Sequence, residues 1–290
     1  INSTFLVKTD AGQSYILQKI NHHIFPDVQG LSENVAAVTE FLRAKCRDPR
    51  SVMTLVRTMD GAPYTRCGGE YWRVYGFVAG TICLQQPEMD EDFYQAAVGF
   101  GTFAQLLADF PAEKLHETIP NFHNTPDRYR IFREAIARDA AHRAAAVQPE
   151  IEFALAREAE MAVIQNALTA GDIPLRVAHN DTKLNNVLLD AQTRKALCVV
   201  DLDTVMPGSS LFDFGDAIRF GASTAAEDEP DLSKVEMSLD RFRAFTRGYV
   251  RACQDLTKKE RELLPLGAKT MTMECGVRFL TDHLDGDLYF

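Results

Sequence analysis

The sequence lacks the cysteine spacings that mark metal or redox sites. Its six cysteines are scattered, and none lies in a C-x-x-C pair or at zinc-ligand spacing with histidine. Several lie in apolar runs, where a buried thiol behaves as a small hydrophobic side chain. The pattern argues against a zinc site, and it predicts a reducing, cytoplasmic environment.

Long hydrophobic runs and an excess of positive charge are also missing. No run approaches the 18 apolar residues of a membrane span. The chain carries 31 Lys and Arg against 41 Asp and Glu, for a formal charge of −10. Nucleic acids and anionic membranes select basic surfaces, so neither is expected as a partner. The start, "INSTFLVKTD", has no methionine and no signal peptide, which suggests that a native N-terminal segment precedes it.

The patterning of the chain changes near residue 80. Before it, the β-rich runs "TFLVKT", "SYILQKI", "SVMTLVRT" and "YWRVYGFV" surround one helical period at "LSENVAAVTEFLRAKC". After it, helices are predicted from an N-cap at Asp90, near 127–146, over 150–170 and in two closing segments. We therefore predict an α+β, bilobal fold. A small antiparallel-sheet lobe spans 1–80, and a larger, mostly helical lobe with a short strand pair spans 81–290.

The segment "HNDTKLNN" carries the spacing of a kinase catalytic loop. In H-R-D-x-x-x-x-N loops the aspartate accepts the proton of the attacking hydroxyl, and the asparagine binds Mg²⁺. His179, Asp181 and Asn186 match that spacing. Three common residues in eight positions are a weak signal alone. His179 is expected to brace the loop through hydrogen bonds, because no other feature assigns it acid or base chemistry.

A second aspartate strengthens this interpretation. In "VVDLDTVMPG" an apolar strand ends on Asp201, fifteen residues after Asn186, which is a hairpin-length separation. Two such oxygen ligands suit Mg²⁺, which completes its shell with phosphate oxygens. We predict Asn186 and Asp201 as the metal ligands, with Asp201 in the position of the D-F-G aspartate of protein kinases. Asp203 remains open as a second metal contact.

A third cluster follows in "SSLFDFGDAIRFG". Asp213, Asp216 and Arg219 lie within one or two helical turns of each other. The aspartates either cap the turn or brace the catalytic loop, and Arg219 either pairs with one of them or contacts the substrate. The sequence leaves these alternatives open.

Together these motifs resemble a known family. "HNDTKLNN", "DLDTVMPGSSLFDFGD" and "IRFGAS" are similar to segments of the aminoglycoside phosphotransferase superfamily, and within it to the N-acetylhexosamine 1-kinases of bifidobacteria. "YILQKINHHIFPDVQGL" and "TMECGVRFL" extend the resemblance over nearly the whole chain. It implies a protein-kinase-like fold and transfer of phosphate from ATP, with Mg²⁺, to the anomeric 1-hydroxyl of GlcNAc or GalNAc. A monomer is favoured.

The resemblance also implies residue roles. Asp181 takes the place of the catalytic base and contacts the sugar. Arg219 would also contact the sugar if it binds substrate instead of pairing with an aspartate. Arg278 and Tyr289 correspond to sugar-contacting positions. In "YWRVYGF", the backbone of Val74, Tyr75 and Gly76 corresponds to the strand that meets adenine.

Two features of the expected phosphate site, the residue at the lysine position and the glycine-rich loop, depart from the kinase patterns. Where those enzymes carry a lysine on the third strand, the aligned residue is Gln18, and Lys19 faces the opposite side by strand alternation. Gln18 offers a hydrogen bond without charge, so the metal ion is expected to neutralise more of the phosphate charge.

Lys183 either binds the γ-phosphate or is a solvated lysine. No G-x-x-x-x-G-K-[ST] loop is present, and the glycine-rich segment of such kinases is expected before Ile1.

Two rival functions remain. Another small-molecule kinase of the superfamily would act on an aminoglycoside, choline or a different sugar. A nucleotide-binding pseudokinase is disfavoured by the intact set of Asp181, Asn186 and Asp201. The preference between GlcNAc and GalNAc depends on the hydrogen bonds of one hydroxyl, which no sequence rule reaches.

Overall fold

The computed structural model describes residues 1–227 and 229–289. The strands in this part of the chain are β1 Ser3–Lys8, β2 Ser14–Ile20, β3 Leu55–Val56, β4 Thr65–Cys67, β5 Glu70–Gly76, β6 Thr81–Cys83, β7 Arg176–Ala178, β8 Val187–Asp190, β9 Ala196–Val199 and β10 Met206–Gly208. The α-helices are α1 Val28–Lys45, α2 Asp90–Leu106, α3 Thr125–Arg138, α4 Gln148–Leu155, α5 Glu158–Met161, α6 Val163–Ala170, α7 Ser210–Gly221, α8 Leu239–Ala252 and α9 Lys258–Asp285. None of these helices is long and apolar enough to cross a bilayer.

The N-terminal lobe is an antiparallel sheet with one helix on it. Its strand order is β1-β2-β5-β3, with β4 also paired to β5. The predicted β1–β2 hairpin and helix α1 are confirmed. The expected strand over 51–58 shrinks to Leu55–Val56, and a short strand, β4, forms between the predicted strands 51–58 and 71–78. The exposed, polar β4 is ordered by its pairing with β5, which a sequence pattern does not reveal.

The two lobes share an apolar core. Leu31 and Val35 of α1 pack in one cluster with Phe103 of α2 and with Leu202, which follows β9. The five-stranded sheet ends at Gly76, and β6 pairs with β8 of the second lobe. The division at residue 80 stays a prediction, and a continuous core joins both sides of it.

Helices α7 and α9 cross at two glycines in the second lobe. A Cβ on Gly215 would lie 2.3 Å from the carbonyl oxygen of Gly267, so a larger residue would force the helices apart. This close approach fixes α7, which carries Asp213 and Asp216, beneath the loop that follows β7. The crossing therefore holds α7 where its aspartates contact the loop of the site.

Four helix predictions need correction. The N-cap of α2 is Met89 and not Asp90, because the Asp92 side chain accepts the backbone N–H groups of Glu88 and Met89. The segment 150–170 breaks into three short helices, and the helix predicted near 127–146 ends at Arg138. The first closing helix begins only at Leu239, where Ser238 caps it. The α+β, bilobal, kinase-like prediction itself is confirmed.

Candidate active site

His179 braces the loop between β7 and β8 from inside the protein. It is completely buried, its Nε2 lies 2.9 Å from the carbonyl oxygen of Val200, and its Nδ1 accepts the N–H of Asp181 at 3.3 Å. These partners require the ring proton on Nε2. The ring therefore ties Asp181 to the end of β9, and the expected bracing role of His179 is confirmed.

The aspartates of α7 hold the same loop from the other side. Asp213 accepts the backbone N–H groups of His179 at 2.9 Å and of Asn180 at 2.8 Å. Asp216 accepts the N–H of Thr182 at 3.1 Å. Burial raises the pKa of Asp213, although His179 and these backbone donors oppose that rise. Of the two alternatives, bracing of the catalytic loop is the one that the structure supports.

Asp181 lies between two donors. Asn186 Nδ2 donates to the Asp181 carbonyl at 2.8 Å and to Oδ2 at 3.1 Å, and Lys183 Nζ lies 3.1 Å from Oδ1. Burial alone would lower the pKa of Lys183, but the charge and the hydrogen bond of Asp181 outweigh burial and raise it. The carboxylate is thus fixed in place, and its assignment as the base stays a prediction. Lys183 is paired with Asp181 and is not simply solvated.

Asp201 and Asn186 meet at the open end of the β8–β9 hairpin. Val200, one residue before Asp201, donates its N–H to the Asn186 carbonyl at 2.9 Å. Asp201 has a left-handed backbone with φ of 58°. Burial raises its pKa, and the neighbouring charges of Asp203 and Asp181 raise it further. A divalent cation fits this site, because it would neutralise the clustered negative charge and bind the carboxylate and amide oxygens that are present.

Arg73 is a site residue that no sequence motif indicated. It lies on β5 opposite Gln18, donates from Nε to Gln18 Oε1 at 3.0 Å and from Nη2 to Asp203 Oδ2 at 2.7 Å, and is 3% exposed. Its signal was an arginine inside the apolar strand "YWRVYGF". The charge that β2 lacks at Gln18 is therefore supplied from the neighbouring strand. Asp203, left open as a metal contact, is here the ion-pair partner of Arg73.

The backbone of Val74, Tyr75 and Gly76 lies in a central strand of the sheet. Val74 and Tyr75 pair with β2 on one side and with β3 on the other. The N–H of Gly76 donates to the Thr54 carbonyl at 2.9 Å. The sheet therefore uses the Gly76 N–H, and the expected adenine contact of this segment stays a prediction.

A cavity of about 620 Å³ brings together the residues assigned to the acceptor side. It is lined by Asp181, Lys183, Arg219, Arg278 and Tyr289. The same walls include His123 and Arg128, which no motif indicated, because they precede and begin a helix of ordinary composition. The other predicted residues are not part of this lining: Gln18, Val74, Tyr75, Gly76, Asn186 and Asp201.

Arg219 is engaged by acidic neighbours. Its Nη2 lies 2.9 Å from Asp216 Oδ1, and its Nη1 contacts Glu227. Burial would lower the pKa of Arg219, but Asp216 and Glu227 raise it above the usual range. Pairing within the α7 cluster is therefore present, and a direct sugar contact by Arg219 stays a prediction.

The sheet lobe, the helical lobe and the braced loop between them define a kinase-like fold. The Phosphotransferase enzyme family matches residues 1–251 of the chain, which therefore belongs to that family and is a phosphotransferase.

Solved structures with the same fold are distant in sequence. An amicoumacin kinase, solved with AMP-PNP and Ca²⁺, is 12% identical with a TM-score of 0.63, over 99% of this chain and 79% of that chain. A Plasmodium vivax ethanolamine kinase is 14% identical with a TM-score of 0.58, over 99% and 75%. A microcompartment-associated aminopropanol kinase is 17% identical with a TM-score of 0.56, over 98% and 86%. At these identities the likeness concerns the fold alone.

Proposed function

We propose that this protein transfers phosphate from ATP, with Mg²⁺, to the anomeric hydroxyl of an N-acetylated hexosamine. The observation that carries the choice of acceptor is the charge balance of the cavity beside Asp181. Cationic lining residues accompany the acidic ones: Arg128, Lys183, Arg219 and Arg278, with the histidines His23 and His123 beside them. Such a wall favours a neutral, hydroxyl-rich acceptor over a cation.

The carboxylates of this cavity all have partners of their own. Lys183 pairs with Asp181, and Arg219 with both Asp216 and Glu227. Arg138 pairs with Asp285, and Asp282 accepts the N–H groups of Leu288 and Tyr289. An ammonium group here would have to share a carboxylate that already has a cationic or N–H donor, which weakens its attraction to the site.

The fold neighbours that act on amino alcohols supply the rival acceptors. Ethanolamine and aminopropanol kinases share this fold. An acceptor of their type carries a positive charge, and it requires an exposed acidic group for recognition. The paired carboxylates of this cavity argue against that class, and they argue equally against a polycationic aminoglycoside.

In the proposed reaction Asp181 accepts a hydrogen bond from the sugar 1-hydroxyl and aligns it with the γ-phosphorus. Lys183, 3.1 Å from Asp181, is within reach of the transferred phosphoryl group. Asn186 and Asp201 would hold Mg²⁺, which neutralises phosphate charge when bound. Because the transition state is loose, positioning and charge neutralisation dominate over strong base catalysis.

The adenine ring is expected at the end of β5, where the backbone of Val74, Tyr75 and Gly76 leads into the linker 77–80. The Phe77 N–H still donates to the Ser14 carbonyl of β2 at 3.2 Å, and the Gly80 carbonyl accepts from Ala191 of the second lobe at 2.9 Å. The linker thus joins the two lobes beside the sheet face that carries Gln18 and Arg73.

The test is an acceptor panel with ADP release as the readout. GlcNAc and GalNAc should give turnover, while glucose, choline, ethanolamine and kanamycin should give at least tenfold lower kcat/KM, which corresponds to about 1.4 kcal/mol. Highest turnover on a cationic acceptor would reject the sugar assignment and keep a small-molecule kinase. ATP binding without turnover on any acceptor would indicate a pseudokinase.

The role of Asp181 has its own test. Asp181→Asn keeps the shape of the side chain and removes its capacity to accept a proton. We expect kcat to fall about 10²- to 10⁴-fold with little change in acceptor KM. Near-full kcat in this variant would show that the base assignment is wrong.

A further inference from the structure

His123 connects α9 to the catalytic loop at the floor of the acceptor cavity. Its Nδ1 lies 2.8 Å from Glu274 Oε1, and its Nε2 lies 3.3 Å from the carbonyl oxygen of Asn180. The side chain is 8% exposed and that of Glu274 is 1% exposed. The ring therefore bridges two elements that lie far apart along the chain.

The partners of the ring limit where its protons can lie. A carbonyl oxygen only accepts, so Nε2 must donate to Asn180. Glu274 accepts the hydroxyl of Thr125 through Oε2 at 2.8 Å, and the 2.8 Å contact between its Oε1 and Nδ1 contains one proton. With that proton on Nδ1, both ring nitrogens carry hydrogen, and His123 is an imidazolium beside an ionised Glu274.

The surrounding charges support that state. Burial would lower the pKa of His123, but Glu274 on α9 and Asp216 on α7 outweigh it and raise the pKa. Burial would raise the pKa of Glu274, but His123, Thr125 and Arg128 together lower it. Asp213 on α7 adds a further negative charge near the ring, and Arg128 on α3 acts on Glu274.

The carbonyl that His123 holds belongs to the peptide bond directly before Asp181. Asn180 has a left-handed backbone with φ of 64°. Its N–H donates to Asp213 at 2.8 Å and its side chain donates to the Thr204 carbonyl at 2.9 Å. The His123 contact holds the carbonyl oxygen of this residue while His179 accepts the N–H of Asp181, so the peptide plane between Asn180 and Asp181 cannot rotate freely.

We propose that His123 is a positioning residue, an imidazolium clamp that couples the catalytic loop to α9 and makes phosphoryl transfer depend on its positive charge. The clamp rests on Asp181 being the base, as proposed above. Deprotonation removes one of its two donors and releases either the Asn180 carbonyl or Glu274. A small displacement of a catalytic group costs up to about 100-fold in rate.

The first experiment titrates the ring without any acceptor. The wild-type protein with ¹⁵N-labelled histidine is followed by NMR, and the His123 signals are identified from their loss in His123→Gln. We expect a protonated ring at pH 7 that titrates above the usual histidine range of about 6.5. A neutral ring at pH 7 overturns the clamp whichever substrate the enzyme uses, so this result does not depend on the acceptor panel.

The second experiment measures kcat against pH with the best acceptor of the panel. Because the folded pKa is raised, the clamp is present at low and neutral pH and is lost as pH rises through that pKa. His123→Gln should lower kcat about 10- to 100-fold and abolish the alkaline fall. Glu274→Gln should move that fall to lower pH, since the stabilising negative charge is gone.

The matched control is a surface pair of the same composition. His116 Nε2 lies 2.8 Å from Glu33 Oε2, with both side chains 48% exposed. His116→Gln should leave kcat and its pH profile unchanged. Wild-type kcat and an unshifted alkaline fall in His123→Gln would overturn the proposal, even if Glu274→Gln proves too unstable to assay.

Discussion

Two buried arginine–carboxylate pairs in this protein differ in how completely they are satisfied. Arg176 binds both oxygens of Glu260, at 2.6 and 2.8 Å, and both the side chain and the carbonyl of Asp255, at 2.9 Å each. Arg73 binds Asp203 and Gln18, but its Nη1 has no hydrogen-bond partner among the described residues. Both guanidinium groups are nearly inaccessible to water, so the contrast is one of chemistry and not of burial.

The positions of the pairs explain the difference. Glu260 also accepts the N–H of Thr257 at 2.8 Å, so the Arg176 pair completes the N-terminus of α9 and belongs to the framework. The Arg73 pair joins the sheet of the first lobe to the turn that carries Asp201. We infer that a pair whose hydrogen-bonding groups are all used is structural, whereas a pair with an unused N–H donor beside the proposed nucleotide site is functional.

The largest expected effect follows from breaking the Arg73 pair. Arg73→Met leaves Asp203 buried without its cation, which should lower the free energy of unfolding by about 3–5 kcal/mol. The released negative charge lies beside Asp201, so the KM for ATP-Mg should also rise about tenfold, or about 1.4 kcal/mol. Chemical denaturation and initial rates check both expectations.

Arg73→Lys is the matched variant for this prediction. It keeps the charge but loses the planar fork that serves Asp203 and Gln18 together. Most of the ATP-Mg affinity should return, with an intermediate stability. An unchanged KM in Arg73→Met would contradict a role of this pair in the nucleotide site.

Breaking the framework pair should affect stability alone. Arg176→Met leaves Glu260 and Asp255 without their shared cation, and a similar loss of about 3–5 kcal/mol is expected. The activity per folded molecule should match the wild type. Active-site titration counts the folded fraction. A raised KM for ATP-Mg here would remove the distinction between the two pairs.

A solvent-exposed pair sets the lower limit of the comparison. Arg133 Nε lies 3.1 Å from Glu158 Oε2, with side chains 55% and 31% exposed. Arg133→Ala should change the free energy of unfolding by less than about 1 kcal/mol, because water screens both charges. A larger loss in denaturant titrations would mean that exposure is a poor guide to these pairs.

Much of the site followed from local spacing. Asp181 and Asn186 lie five residues apart, and the short loop between them brings them into contact, while Asp213 and Asp216 of α7 hold that loop in place. Asp201 was predictable because a hairpin returns the chain to the same edge. The central position of β5 in the sheet was not predictable, since a strand does not reveal from its own residues whether it is central or at an edge.

The class of chemistry, the bilobal fold and the loop from His179 to Asn186 were predictable from the chain alone, because hydrophobic periodicity and short spacings act within a few residues. Three contacts were not: the charge that Arg73 supplies beside Gln18, its pairing with Asp203, and the reach of His123 to the Asn180 carbonyl. Those contacts join residues 55, 130 and 57 positions apart. Their energy depends on burial and orientation, which are set only when distant elements pack together.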